Sequence, residues 1–417
     1  MIDVVIIGGG LAGLTAANYL QQKNISYLLL EATDRVGGRV KTDLVDGYLL
    51  DRGFQVLLTA YPEAKRLLDY EKLNLQKFKP GAALLMPNGK IETIGDPLRD
   101  VSSLLPTLTS SAGNISDKLG ILKMRSRLND LSIEEIFSQK EKTTLEALQS
   151  DYGFSDKMTE RFFRPFFSGI FLENNLATSR RMFDFVFKMF GEGHAAVPNE
   201  GMEAIPRQLA GNLPSENIRT NCKVELIEGN KVFINGGETI QAKNILLATE
   251  ATSLIKDHLP KSNTRYVSTL HLHFISGTPA LQQPLIGLNT LPKKLVNNIC
   301  TINKVAPGYA SGGKNLISIS IVGKSGLKDK EIISAVRKEL SHWFGKEVEG
   351  WEHLHSHLVE YALPVQNQVT HNIEDDSVRL SENLYVCGDH LSNGSIDAAM
   401  LSGRRAAEVI AKDLGAG

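Results

Sequence analysis

Three glycines near the start of the chain, Gly8, Gly10 and Gly13, have the spacing G-x-G-x-x-G. A short β-branched run, Val4 to Ile7, precedes them, and an Ala- and Leu-rich stretch, Leu14 to Lys23, follows. A strand, a glycine turn and a helix in this order let the backbone approach a pyrophosphate and present free N–H groups to it. The chemistry that this pattern predicts is the binding of a dinucleotide.

An acidic residue stands where such a site needs one. Residues Ile25 to Leu30 are predicted to form a second buried strand, and Glu31 follows it, about 20 residues after the last glycine. A carboxylate at that place can accept a hydrogen bond from a ribose hydroxyl. NAD-binding and FAD-binding proteins share this pattern, so the glycines and the acid leave the choice between the two cofactors open.

The two loops that follow resemble those of one flavoprotein family. Glu31-Ala32-Thr33-Asp34-Arg35-Val36-Gly37-Gly38-Arg39 and Asp51-Arg52-Gly53-Phe54-Gln55 resemble loops of the flavin-containing amine oxidase superfamily. That superfamily includes monoamine oxidases, protoporphyrinogen oxidases and phytoene-desaturase-like enzymes. Its first loop lies along the FAD pyrophosphate, where an arginine fork suits phosphate oxygens, and its second lies near the isoalloxazine ring.

Three later segments resemble further pieces of the same FAD domain. They are Gly201 to Ala210, the predicted strand Asn244 to Thr249, and the strand and helix from Leu384 to about Leu414. Cys387 falls inside a predicted strand, so we expect FAD to be bound without a covalent link. The resemblance implies that the cofactor is held by Gly8, Gly10, Leu11, Ala12, Gly13, Glu31, Ala32, Arg35, Gly37, Gly38, Arg39, Gly53, Phe54, Gln55, Val224, Ala248, Thr249, Gly388, Asp389, Ser395, Ile396, Asp397 and Ala398.

The fold class that follows is α/β, a Rossmann-like FAD-binding domain of the GR2 type with an interleaved α+β substrate-binding domain. The FAD domain is predicted to be discontinuous, with pieces 1–95, 196–262 and 373–417. The substrate domain is predicted to combine a helical piece, 96–195, with a sheet piece, 263–372. Strands are predicted in the sheet piece from Tyr266 to Phe274, Leu316 to Val322 and Leu354 to Tyr361.

Phenylalanine is concentrated in the helical piece. Nine of the 16 phenylalanines lie between residues 162 and 190, namely Phe162, Phe163, Phe166, Phe167, Phe171, Phe183, Phe185, Phe187 and Phe190. They are interpreted as the core of a helical subdomain, and the alternative is an apolar substrate tunnel or a membrane-docking surface. The two interpretations are compatible, and an apolar small-molecule substrate is expected.

The residues of the reaction itself are less clearly marked. Amine oxidases of the superfamily commonly carry a lysine on the strand that aligns with Tyr266 to Phe274, and this strand has none; Thr269 stands near its position. The expected activity is therefore hydride removal by an FAD-dependent desaturase or oxidase, with oxygen, a quinone or another acceptor taking the electrons. An amine oxidase and a non-redox isomerase of a polyene are the alternatives. The cavity candidates are Gln55, Arg164, His271 and Tyr361.

Composition excludes several other classes of function. The 417 residues carry 46 Lys and Arg against 47 Asp and Glu, a balance without the basic excess of a nucleic-acid binder. The three cysteines are far apart, so neither a disulfide framework nor a zinc site is indicated, and no metal is expected. His353, His355 and His357 alternate on one strand and are interpreted as a polar sheet face. We expect a cytoplasmic protein, and contact with a membrane surface is compatible with the sequence.

Overall fold

The computed structural model describes residues 1–96, 99–250, 265–311 and 313–415. The predicted domain boundary between residues 262 and 263, and the last two residues of the third FAD piece, lie outside these ranges. Within them, two large sheets and a layer of helices make up the fold.

The first sheet has a parallel centre built from distant pieces of the chain. Ile2–Ile7 pairs in parallel with Tyr27–Leu30 on one side and with Thr239–Leu247 on the other. Val4, Val5 and Ile6 are fully buried, as expected for a central parallel strand covered on both faces. The remaining strands are Ile218–Arg219, Val224–Glu228, Lys231–Ile234, Arg379–Ser381 and Leu384–Val386.

Two helices pack tightly against this sheet because small residues line their contact. The helix Leu11–Gln22 starts directly after the glycine turn, and Ile396–Asp413 is the last helix of the chain. A Cβ atom on Gly403 would lie 2.2 Å from the carbonyl oxygen of Ala12, so only glycine allows the two backbones to approach this closely. The predicted strand–turn–helix order and the predicted last helix are both confirmed.

The second sheet is antiparallel except at one pair of strands. Its order is Glu352–Pro364, Tyr266–Ser276, Asn315–Val322, Asn298–Thr301, Ile286–Asn289, Gly81–Leu85 and Ile91–Gly95. The last two strands belong to the stretch that the sequence assigns to the FAD-binding piece 1–95. They lie in the second sheet because Gly81–Leu85 pairs in parallel with Ile286–Asn289, a partner about 200 residues away.

Residues 99–192 are mostly helical, as predicted. Two helices rich in phenylalanine, Arg164–Phe171 and Arg180–Glu192, form the centre of this layer.

Further α-helices and small sheets complete the described part of the chain. Its other α-helices are Pro62–Leu67, Leu104–Thr109, Ile115–Asp130, Ile133–Ser138, Thr144–Glu146, Asp156–Met158, Ala204–Gly211, Ile302–Val305, Asp329–Phe344 and Asp375–Val378. Small sheets join Thr42–Val45 to Tyr48–Asp51, and Ala195–Pro198 to Leu57–Leu58 and Leu75–Lys77. Among the described helices, none combines the length and apolar composition needed to cross a bilayer.

Candidate FAD and substrate cavity

One large cavity runs between the first sheet, the second sheet and the helical layer. Its volume is about 1420 Å³, above the roughly 300–1,000 Å³ of a common small-molecule site. Its walls come from the glycine turn, the loop 37–41, the segment 52–56, the ends of two parallel strands and the phenylalanine-rich helices. A cavity of this size and lining has room for a dinucleotide and a substrate together.

The glycine turn forms one end of the cavity. Gly8 has φ of 114°, and a Cβ atom there would lie 2.7 Å from the carbonyl oxygen of Ala248. A Cβ on Gly13 would lie 2.1 Å from the carbonyl oxygen of Gly8, so this glycine serves helix–strand packing and does not line the cavity. A Cβ on Gly10 would meet only Gly38 Cα, at 3.9 Å, because this glycine faces the open cavity.

The helix that starts at Leu11 offers its N–H groups to this space. Its N-cap is Gly10, which has no side chain to occupy those groups, and its first turn contains no acidic residue. A helix start left in this state favours an anion such as a pyrophosphate.

Glu31 lies beside the turn, as the sequence predicts, and its carboxylate is held firmly. Oε2 accepts a hydrogen bond from the backbone N–H of Gly9 at 2.8 Å, and Oε1 accepts from the N–H and the hydroxyl of Thr33 at 2.9 and 2.7 Å. The buried Lys41, which the sequence analysis did not single out, donates from Nζ to the Thr33 hydroxyl at 2.7 Å. Burial lowers the pKa of Lys41. A lysine directly before a polar strand is ordinarily exposed, so the sequence does not indicate that Lys41 is buried.

Arg39 joins the first loop to the end of the chain. Its guanidinium donates to Asp389 Oδ1 at 2.7 Å and to the carbonyl oxygen of Ala362 at 2.9 Å, and all three residues line the cavity. The sequence predicts that Arg39 and Asp389 each contact the cofactor, and the structure adds the ion pair between them. The pair holds together two cavity-lining loops that are 350 residues apart in sequence.

Most of the predicted cofactor residues line the cavity, and four do not. Gly13 is one of the four, and Ala398 is occupied in donating its N–H to the N-cap residue Ser395. Arg35 instead bridges Glu203 and Asp43 at 2.8 and 2.7 Å. Asp397 is buried and accepts the N–H of Glu63 at 2.8 Å. The cofactor residues that do line the cavity are Gly8, Gly10, Leu11, Ala12, Glu31, Ala32, Gly37, Gly38, Arg39, Gly53, Phe54, Gln55, Val224, Ala248, Thr249, Gly388, Asp389, Ser395 and Ile396.

Two polar atoms in the cavity wall have no hydrogen-bond partner among the described residues. Gln55 Nε2 donates to the carbonyl oxygen of Arg39 at 3.1 Å, but Gln55 Oε1 is buried without a hydrogen bond, and so is the hydroxyl of Thr249. Buried polar atoms are nearly always satisfied in native proteins. Together with the open glycines and the free helix start, these atoms fit a bound polar cofactor such as FAD.

Of the four catalytic candidates, only Gln55 lines the cavity. Arg164 points away from it and pairs with Glu160 at 2.8 Å, four residues back on the same helical stretch. Tyr361 is 44% exposed and packs against the ring of Tyr266. Alternation along a strand predicts which residues share a face, but it does not tell which face meets a cavity. Tyr361 shows that limit.

His271 lies one layer behind the cavity wall. Its ring nitrogens contact the hydroxyls of Ser320 and Ser318, at 3.1 and 2.9 Å, and only Ser320 reaches the cavity. Burial, with a smaller contribution from His357, lowers the pKa of His271 to about 3, so the ring is neutral at pH 7. Thr269, near the position of the family's lysine, does line the cavity and donates to the carbonyl oxygen of Ile321.

At the far end of the cavity, the helical layer contributes an apolar wall. Phe163, Phe167 and Phe183 form the core of that layer and are fully buried. The residues that reach the cavity from the same helices are Phe162, Phe166, Ile170, Leu172, Val186, Phe187 and Phe190. The phenylalanine cluster therefore divides into a buried core and a set of side chains that line the cavity, and its role as a substrate tunnel stays a prediction. Among the described residues, no three His, Cys, Asp or Glu side chains are grouped to bind a metal.

Comparisons with known proteins agree with this geometry. The family model for flavin-containing amine oxidoreductases matches residues 11–411. The chain is 23% identical to a 15-cis-phytoene desaturase of Capsicum annuum, over 99% of this chain and 78% of that protein. It is 22% identical to the coproporphyrinogen III oxidase of Bacillus subtilis, over 81% of this chain and 82% of that protein.

A solved structure gives the same result for the fold. A protein from Exiguobacterium sp. 255-15, assigned as a protoporphyrinogen oxidase, superposes with a TM-score of 0.71 at 18% identity, over 99% of both chains. The match covers both sheets and the helical layer, as the predicted Rossmann-like fold with an interleaved second region requires. The chain belongs to the flavin-containing amine oxidoreductase family, and it is an FAD-dependent oxidoreductase.

Proposed function

We propose that this chain is an oxidoreductase of the desaturase or oxidase type that removes hydride from a C–H bond of an apolar substrate. The observation that carries the proposal is the continuity of the cavity from the glycine turn to the phenylalanine-rich helices. A substrate bound among those helices would have its reacting carbon held beside the segment Gly53–Gln55. Burying an apolar molecule there contributes about 25 cal/mol for each Å² of surface removed from water.

The charged residues at the far end of the cavity favour an apolar substrate over an amine. Lys79, Arg99, Lys118 and Arg125 all line this end. Two acids pair with members of this group, Asp96 with Arg125 at 2.5 Å and Asp100 with Lys79 at 3.2 Å, and the basic residues outnumber them. An amine substrate is protonated near pH 7 and would enter against this positive field. The lining therefore favours a neutral or anionic apolar substrate over a cationic one.

The residues around the proposed flavin position would orient it and stabilise its reduced form. Bound FAD supplies hydride acceptance at N5. Ser395 and Ile396, at the start of the last helix, line the cavity, and a helix start stabilises negative charge by about 0.5–2 kcal/mol. Thr249 would direct its hydroxyl, which has no hydrogen-bond partner among the described residues, to the cofactor. Cys387 does not lie inside the strand as predicted but directly after Leu384–Val386, and it is fully buried there, which supports non-covalent binding of FAD.

Anaerobic reduction of the purified holoenzyme tests this proposal. The flavin absorbance is followed after addition of porphyrinogens, carotenoid precursors and amines at equal concentration. We expect bleaching with one of the apolar classes and none with amines, followed by reoxidation with oxygen or a quinone. Bleaching by amines alone would contradict the proposal, and so would an isomerised product formed without net reduction of an acceptor.

We also propose that the cavity opens towards a membrane surface. Two neighbouring helices, Leu104–Thr109 and Ile115–Asp130, expose a group of large apolar side chains, which we call the apolar rim. Its members are Leu104, Leu105, Leu108, Ile115, Leu119 and Leu122, with exposures from 39% to 70%. All except Leu105 line the cavity. Exposed apolar residues around a cavity mouth are typical of a docking surface for lipid.

The charges near the rim suit an anionic bilayer. Lys118 and Lys123 lie on the same helix as Ile115, Leu119 and Leu122. Each basic residue near an anionic surface contributes about 1 kcal/mol of attraction. We expect the protein to sediment with vesicles that contain anionic phospholipid, and Leu119→Asp to reduce the bound fraction at least about tenfold. Leu226→Asp, at a leucine of the first sheet that is 48% exposed against 61% for Leu119, is the control, and equal loss in both variants would refute the rim as the contact.

A further inference from the structure

A small closed chamber lies directly behind the cavity wall. Its volume is about 10 Å³, near the lower limit for one water molecule. Asp51, Gln55, His273, Tyr309 and Ser318 supply its polar lining. Gln55 Oε1 and His273 Nδ1 are buried there without a hydrogen bond to any residue in the described part of the chain. A polar chamber of this size, with two unsatisfied groups and two hydroxyls, meets the requirements for a structural water.

Hydrogen bonds connect the chamber to the cavity through His271. The strand register places His271 opposite Ser320 and His273 opposite Ser318. His271 Nδ1 contacts the Ser320 hydroxyl at 3.1 Å, and His271 Nε2 contacts the Ser318 hydroxyl at 2.9 Å. Ser320 lines the cavity and Ser318 lines the chamber, so the ring of His271 spans the wall between them.

A second set of hydrogen bonds leads from the chamber to a buried carboxyl group. The Tyr309 hydroxyl donates to Asp51 Oδ2 at 2.6 Å, and Asp51 Oδ1 accepts from the Thr42 hydroxyl at 2.5 Å and from the N–H of Met202 at 3.0 Å. Burial raises the pKa of Asp51 to about 6, so both protonation states are accessible near neutral pH. The titratable and charged groups that face this carboxyl are Tyr309, the nearby Glu203 and, across the chamber, His273.

The hydrogen bonds from Ser320 to Asp51 can all be oriented with each donor directed towards Asp51. Asn298 Nδ2 donates to the Ser320 oxygen at 3.3 Å, which leaves the Ser320 proton free for His271 Nδ1. With its own proton on Nε2, His271 donates to Ser318, and Ser318 can donate to a chamber water. That water can donate to Gln55 Oε1 and to the Tyr309 oxygen, and Tyr309 donates to Asp51. Every member of the chain is both a donor and an acceptor, as proton transfer requires.

We propose that the chamber binds one water molecule and that Ser320, His271, Ser318, this water and Tyr309 carry a proton between the cavity and Asp51. This role rests on the proposed function, because removal of a hydride and a proton from a substrate leaves the proton to be taken up in the cavity. One proton enters at Ser320, each member passes on its own, and the Asp51 carboxylate becomes a carboxylic acid. No electron moves along the chain.

The water is tested first, by a high-resolution crystal structure of the holoenzyme. We expect one water molecule in hydrogen-bond contact with Gln55 Oε1 and His273 Nδ1. A chamber without water, or one closed by a turned Gln55 amide, would overturn the proposal. This observation needs no substrate, so it stands or fails independently of the proposed reaction.

The relay is tested by the rate at which Asp51 exchanges its proton. Holoenzyme is mixed from pH 5 to pH 8, and the infrared band of the protonated carboxyl is followed; Asp51→Asn identifies that band by its loss. Ser318→Ala and Ser320→Ala should slow the decay of the band at least tenfold. Ser356→Ala is the matched control, because Ser356 lies in the same sheet and contacts His353 and not His271. Wild-type decay in both interrupted variants, with melting temperatures unchanged, would refute the relay.

Discussion

Replacing Asp397 with asparagine is expected to remove a specific pH dependence from the stability of the fold. Asp397 is 1% exposed and accepts the N–H of Glu63, so it caps the helix Pro62–Leu67 from another part of the chain. Burial, the largest influence, raises its pKa to about 7. The backbone N–H groups of Glu63 and Ala64 and the charge of Arg404 oppose this rise, and the charge of Glu63 adds to it. An asparagine keeps the accepting oxygen and cannot ionise.

The size of the effect follows from the pKa difference between the folded and unfolded states. The ordinary value is 3.8 and the folded value about 7, and each pKa unit corresponds to about 1.4 kcal/mol, so the full effect is about 4 kcal/mol. The folded state binds the proton more tightly, so this stabilisation is complete below pH 3.8. It declines as the pH rises and is lost above about pH 7. Between pH 5 and pH 8 the contribution should fall by about 2.5 kcal/mol.

Urea unfolding of the cofactor-free protein measures this directly. The free energy of unfolding is determined at pH 5 and pH 8 for the wild type and for Asp397→Asn. Asp51 also has a raised pKa and contributes a decline of its own, but it does so in both proteins and cancels from the comparison. The wild type should lose about 2.5 kcal/mol more than the variant. Equal losses in the two proteins would show that Asp397 is not protonated in the folded state, and the reasoning would be wrong.

Three further predictions concern the cofactor. Gly13→Ala should yield a protein without flavin absorbance, because the new methyl group would lie 2.1 Å from the carbonyl oxygen of Gly8; a yellow variant would contradict this. Arg39→Gln should weaken FAD binding at least about tenfold in a fluorescence titration, since the ion pair to Asp389 joins two cavity loops and removing the guanidinium takes that partner from a buried carboxylate. Acid precipitation should release all the flavin into the supernatant, whereas flavin retained in the pellet would point to a covalent link, with Cys222, the cysteine that lines the cavity, as the candidate.

The part of the site that could be predicted from sequence is the part that contiguous residues encode. The run Ile2–Ile7, the glycines and Glu31 each have a local reason for their positions, and the structure places them together as expected. Arg35 and Asp397 do not line the cavity, because both side chains turn towards distant partners, and their predicted contacts with the cofactor stay predictions. Glu203 lies 168 residues from Arg35, and no local pattern marks that pairing.

The second sheet shows the same limit. Its long strands were predicted from their alternation, but Gly81–Leu85 joined it through pairing with a distant strand. His271 and His273 share a face with Thr269, as alternation predicts, yet only Thr269 of the three lines the cavity. Which face of a strand meets a cavity depends on how two sheets and a helical layer pack, and that information is spread over the whole chain.

A crystal structure of the chain with bound FAD would test the central claim most directly. We predict that the pyrophosphate lies against Gly10 and the start of the helix Leu11–Gln22, and that the flavin ring lies between Gln55 and Ile396. One face of the ring should open onto the apolar end of the cavity near Phe187. A dinucleotide bound elsewhere, or a flavin ring walled off from the phenylalanine-rich helices, would contradict the account.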